Sequence, residues 1–205
     1  DQDFIALHED MVIAVAERRT WVEMKILRQY QSVFGEAVNR MRDVNHLIAI
    51  HTRRVALWAL ENDDVHARRL AVRFLNTYLR ATLNARDVRS AYNLLNEYRL
   101  LGEAALAHND TELAVDVAEY IQFYGQTAFG MQLAFLLETA AYDLCMLIEQ
   151  ASDRGSICHD RLLGIFLELD REPDADGSPQ EASLRGVRKA QIKLATHYLG
   201  LGTAE

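Results

Sequence analysis

The sequence predicts an all-α fold with no sheet, and three observations predict it. Only 2 of the 205 residues are proline and 10 are glycine, far fewer turn formers than a many-stranded fold needs. Ala, Leu, Arg and Glu dominate, and all four favour helix. Apolar residues recur at spacings of three and four, the mark of helices that bury one face. Half of the residues are hydrophobic, enough for one large core or two small ones.

Helix-start signals divide the chain. "TWVE" places Thr20 at an N-cap with Glu23 three residues on, a capping box. "ENDD" offers Asn62 or Asp63, "HNDTE" offers Asn109 with Glu112, and "ASDRGS" offers Ser152 or Ser156. The steps from Thr20 to Asn62, Asn109 and Ser152 are 42, 47 and 43 residues. Each interval holds a break near its middle: "NRMRDVN" (39–45), "LNARD" (83–87) and "FYGQTAFG" (123–130). Two helices of about 20 residues fit each interval. The expected organisation is therefore an array over residues 1–170, built of antiparallel helical hairpins at about 20–61, 62–108 and 109–151. An acidic loop at 171–178 and a terminal helix at 179–200, packed on the array, complete it. Ser178, Pro179 and Glu181 open that last helix as cap, first residue and capping-box acid.

Internal similarity supports recurring hairpins. "SAYNLL" (90–95) is answered by "AAYDLC" (140–145), and "NDDVHARRLA" (62–71) by "NDTELAVDVA" (109–118) at an offset of 47. Ala67/Ala114 and Ala71/Ala118 are the firmest matches. Such a period points to stacked helical repeats, a HEAT- or tetratricopeptide-like right-handed solenoid and closer to the HEAT-like length. The alternative is a helical bundle whose helices merely reuse the same residues.

The faces follow from 100° per residue. Within 64–82, Leu70, Ala71, Phe74, Tyr78 and Ala81 form the buried stripe. Within 87–106, Val88, Ala91, Tyr92, Leu95 and Tyr98 do so, widened by Leu94, Leu101 and Leu106. In 131–150 the polar residues Gln132, Glu138, Thr139, Tyr142, Asp143 and Glu149 crowd into one arc. That helix is expected to be the most buried. The terminal helix is amphipathic through Leu184, Val187, Ile192, Leu194, Ala195 and Tyr198.

Charge bounds the function classes. The net charge is −8, split as +2 over residues 1–100 and −10 over 101–205. A globally acidic chain is a poor nucleic-acid binder, because that binding rests on neutralising phosphates. The longest apolar run, 130–151, carries Glu138, Asp143 and Glu149, so no segment reads as membrane-spanning. The chain begins without Met, which leaves an upstream anchor open. Cys145 and Cys158 lack the spacing of a zinc site and read as buried thiols of a cytoplasmic protein.

No catalytic, metal or cofactor motif stands out. None of the seven histidines follows a Glu by three residues, and the glycines never cluster as a phosphate cradle requires. Two polar features remain. Arg69, Arg73 and Arg80 form one stripe on a helix, a candidate binding surface for a protein partner or a second copy. Tyr120, Tyr124, Glu138, Tyr142 and Asp143 converge if the helices of hairpin 109–151 pack together. Their bland role is to satisfy buried polar atoms, and their sharper role is a small-ligand or catalytic pocket near Glu138 and Tyr142. The reading is of a non-catalytic, cytosolic interaction or scaffold module, with a compact bundle carrying that pocket as the alternative.

Overall fold

The computed structural model describes Lys25, residues 42–169 and residues 181–198. The first expected hairpin's opening, with its cap at Thr20, and the acidic loop at 171–178 lie outside the described residues. The protein is all-α, and no strand occurs among the described residues. The helices are α1 (Arg42–Glu61), α2 (Val65–Asn84), α3 (Val88–Ala107), α4 (Thr111–Gly130), α5 (Ala134–Asp153), α6 (His159–Glu168) and α7 (Glu181–Tyr198).

The turns between these helices repeat. A left-handed residue occurs at Asp63, Arg86, Asn109, Gln132 and Gly155, with φ between 53° and 65°. Each step is 23 residues. In every case the left-handed residue donates its N–H to the carbonyl three residues back, and the next residue donates to the carbonyl five residues before it. The second set runs Asp64 to Ala59, Asp87 to Thr82, Asp110 to Ala105, Leu133 to Ala128 and Ser156 to Ala151, at 2.8–2.9 Å. This is the Schellman closure of a helix C-terminus. The receiving residues Ala59, Thr82, Ala105, Ala128 and Ala151 are small and fully buried, which lets the chain turn back without a bulky side chain in the corner.

The residue closing one helix also opens the next. Asp110 accepts the Leu113 N–H at 3.1 Å. Asp87 accepts the Ser90 N–H at 3.2 Å and its hydroxyl at 2.7 Å. Leu133 makes no such side-chain cap. A left-handed non-glycine residue costs about 1–2 kcal/mol. At four of the five turns the closing hydrogen bonds hold that conformation, and only the fifth uses glycine.

These turns correct the sequence expectation in detail. Asn62, Asp63 and Asn109 are not the caps; the caps stand one or two residues later, at the end of the turn. The break expected at 123–130 lies inside α4, whose turn follows at 131–133. Gly125 continues the helix because its missing side chain lets α5 approach: a Cβ there would stand 2.7 Å from the Ala140 Cβ. Each helix with its turn takes 23 residues, so two take 46.

The chain forms two compact units, Asp1–Glu97 and Tyr98–Glu205, whose boundary falls inside α3. In the first, α1 packs on α2 over Val55, Ala59, Leu75, Tyr78 and Leu79. In the second, α4 packs on α5, and α6 and α7 both pack on α5. Its core holds Tyr98, Ile121, Tyr124, Leu144, Leu147 and Phe166. The helix at 134–153 is buried along most of its length, as its composition predicts.

Some expected core residues face water. Tyr92 is exposed, as are Ile192 and Tyr198 on α7. The buried stripe of α7 is Val187, Ala190 and Leu194. Tyr92 lies on the side of α3 turned away from Ala91, Leu95 and Tyr98, one helical position beyond the reach of the stripe. The side chains of Leu70, Phe74, Ala81 and Leu184 lie outside the described residues.

Candidate functional site

Charged side chains are buried at a regular offset. Arg53 on α1 pairs with Glu97 on α3, within the first unit. Arg99 on α3 pairs with Asp143 on α5, Nε to Oδ1 3.3 Å, within the second. The arginines are 46 residues apart, and so are the two acids. Each arginine reaches an acid 44 residues later, on the helix after next. Glu149 on α5 and Lys193 on α7 repeat the offset with reversed signs, at 3.1 Å. A 46-residue structural period therefore carries an ion pair each time.

The richest site centres on Asp143. Its Oδ1 faces Arg99, and Arg99 is also bonded to Glu103 one turn along α3. Its Oδ2 is buried and has no hydrogen-bond partner. Loss of hydration pushes the carboxyl up to about 7; the Arg99 guanidinium opposes the shift and the Glu103 carboxylate adds to it. Arg99 cannot hold Asp143 ionised because its charge is shared between two acids and its contact with Asp143 is long. A proton on Oδ2 is the physical compensation for the missing donor.

Beside it on α3, Tyr98 is fully buried. Its ring centroid lies 5.9 Å from that of Tyr120 and 6.3 Å from that of Tyr124, both on α4. Burial first, then the two neighbouring phenols, raises the Tyr98 hydroxyl well above its ordinary range. The Tyr98 hydroxyl has no hydrogen-bond partner, so it is a neutral phenol at any physiological pH.

Of the expected pocket residues, the structure brings Tyr120 and Tyr124 together around Tyr98, and it joins Asp143 to Arg99. It does not gather Glu138 and Tyr142 with them: both are half-exposed on α5. Asp143 was expected on the polar arc with these two and is instead buried. Three participants escaped the sequence reading: Arg99, Glu103 and Glu97. The i, i+4 spacing of Arg99 and Glu103 was a readable signal; the pairing of Arg99 with Asp143 was not.

The arginines Arg69, Arg73 and Arg80 are all exposed on α2. Arg73 is itself engaged by another group. The neighbouring Arg68 pairs with Asp63 at 3.4 Å.

Cys145 and Cys158 are free and buried. The Cys145 Sγ donates to the Ala190 carbonyl at 3.2 Å, and burial, then the Glu149 carboxylate, pushes its thiol up to about 11. It is a weak nucleophile, packed between α5 and α7. Among the described residues no group of three or more His, Cys, Asp or Glu could hold a metal ion. No described helix is long and apolar enough to cross a membrane. No protein-family model, curated protein or solved structure matches the chain.

Proposed function

We propose that the protein is a non-catalytic helical-repeat module that presents a surface to a protein partner. The observation that carries this reading is the recurrence of one turn every 23 residues, together with an ion pair at a fixed 44-residue offset. Hairpins of about 46 residues that repeat in this way belong to solenoid-like architectures, whose extended faces serve recognition. The stacked-hairpin arrangement is part of the proposal. So is a cytoplasmic location, which the two free buried thiols favour.

The docking stripe of the proposal is Arg69, Arg73 and Arg80, and its partner is an acidic protein segment. Planar guanidinium groups grip carboxylates in pairs. The test uses a labelled polyglutamate peptide. The parent binds it at low salt and releases it as salt rises, because the screening length shrinks from about 10 Å at 0.1 M to about 3 Å at 1 M. Changing all three arginines to Glu abolishes binding. The melting temperature stays nearly constant, since exposed ion pairs contribute only about 0–1 kcal/mol to folding. A parent that ignores the peptide, or a triple variant that binds it equally well, contradicts the assignment; a triple variant that unfolds makes the arginines structural.

A second reading rests on Asp143. A buried acid that holds a proton near neutrality, with one oxygen unpaired, is the kind of group found in ligand and catalytic sites. Titration of the protein with small polar ligands, followed by the backbone amide signals of residues 138–147, discriminates. Saturable shifts centred on Asp143 support the pocket, and none supports a purely structural acid.

A further inference from the structure

We infer that the outer face of α6 and α7 is a dimer interface that receives a second copy of this chain. The inference rests on the repeat reading above, because it compares equivalent positions along the chain. Twelve residues after each left-handed turn residue stands an apolar side chain: Leu75, Tyr98, Ile121 and Leu144, all with no exposed surface. The next in the series is Leu167 on α6, and it is 54 % exposed. Three residues earlier the series runs Val72, Leu95, Ala118 and Ala141, all buried. It ends in Gly164, where an added Cβ would meet nothing within 4 Å.

Within the second unit it is clear what these positions normally touch. Tyr98 packs on Tyr120 and Tyr124 of the following helix. Gly102, on the same face of α3, closes against Leu147 and Val117 of the next two helices. The stripe is the one that each helix offers to its successors. On α6 it stays apolar yet has nothing over it. On α7 the corresponding side carries Ile192, 67 % exposed, with Ala195 and Tyr198 also facing water. A terminal repeat that ends an array in solution carries a polar outer face; this one does not.

Charge selects the occupant. α6 brings Asp160 and Glu168 to the exposed side, and α7 brings Arg188. The two helices run antiparallel, joined where His159 bonds to the Tyr198 hydroxyl. A two-fold axis lying between them and along them sets α6 of one copy over α7 of the other. Leu167 then meets Ile192 from both sides, and Glu168 lies at the level of Arg188. The face is self-complementary, as an isologous interface requires. Glu168 also accepts from Gln122 at 3.3 Å within its own chain, which holds the carboxylate near the edge of the face.

Sedimentation equilibrium of the 205-residue chain tests the proposal. The parent is expected at twice its mass of 23.3 kDa at micromolar concentration. The double variant Leu167→Lys, Ile192→Lys is expected at 23.3 kDa with the parent's helix content and melting temperature at matched low concentration. Arg188→Glu alone and Glu168→Lys alone should each weaken the dimer by at least about tenfold, and the two together in one chain should restore it. A parent that is monomeric up to hundreds of micromolar overturns the proposal, whatever else binds the face. So does a dimer that survives the lysine pair, or charge variants whose effects simply add. Should the lysine pair fail to fold, the charge-swap series still decides. None of these outcomes bears on the arginine stripe, whose test uses the peptide.

Discussion

Replacing Asp143 with Asn should make the protein more stable than the parent above neutral pH and less dependent on pH below it. The folded-state carboxyl sits at about 7 against an ordinary 3.8. Between those values the folded protein keeps a proton that the unfolded chain has lost. Stability therefore falls as pH rises through the window from about 4 to 7, and the whole penalty is present above it. At about 1.4 kcal/mol per unit, the shift amounts to roughly 4 kcal/mol at most. Asn carries no charge and has no such window. Urea unfolding of both proteins at pH 5 and pH 8 gives the comparison, and the difference between them isolates Asp143 from the histidines that titrate in the same range. The variant should gain about 1–3 kcal/mol on the parent from pH 5 to pH 8, less than the full shift because Arg99 loses a partner. A difference that stays constant, or that shrinks as pH rises, would show that Asp143 is ionised in the fold.

Truncating Leu144 to Ala should cost roughly 2–5 kcal/mol, the range for a buried leucine whose surroundings cannot collapse into the space. Leu144 has no exposed surface and sits on α5, which α4, α6 and α7 all pack against. A helix held from three sides has little freedom to close a void. Thermal or denaturant unfolding reads the loss directly, and an unchanged midpoint would mean that this side of α5 is loosely packed. Tyr142, two residues away, is half-exposed, so its replacement should cost far less.

The difference between neighbours such as Tyr142, Asp143 and Leu144 shows where sequence reading succeeds and where it stops. Helix phase was legible: the spacing of Ala91, Leu95 and Tyr98 named one buried face of α3, and the composition of 134–153 named a helix buried on several sides. Asp143 went to the wrong side because a charge on the boundary of a polar arc has two solutions. It can turn to water, or it can be buried against a cation from another helix. Arg99 supplies that cation from 44 residues away, and only the register of the folded helices brings it there.

The period was half legible. Asp64, Asp87 and Asp110 stand 23 residues apart in plain view. The series is broken by Leu133 and Ser156, which occupy the same turn position. The left-handed position hides better still, since Asp, Arg, Asn, Gln and Gly fill it in succession. A backbone conformation fixed by two hydrogen bonds tolerates several side chains, so it leaves no motif. The small residue at the corner, Ala in four of five turns, is the steadier mark. It is too common in this chain to be noticed without the turn. Seen at two-helix resolution, the same spacing became a rough interval of 42 to 47 residues.

The repeat itself has a direct test in deletion. Removing residues 88–133 takes out α3 and α4 and joins Asp87 to Ala134, one turn position to the next. The cut removes two whole periods, and Arg53 then stands 44 residues before the position filled by Asp143 in place of Glu97. Circular dichroism through a thermal melt, beside a deletion of 88–127 that ends inside α4, makes the measurement. A 46-residue structural repeat predicts that the in-register deletion keeps its helix content per residue and a cooperative melt, while the out-of-register deletion loses both. If the two deletions behave alike, both unfolded or both folded, the helices are an irregular bundle and the recurrence of the turn does not organise the fold.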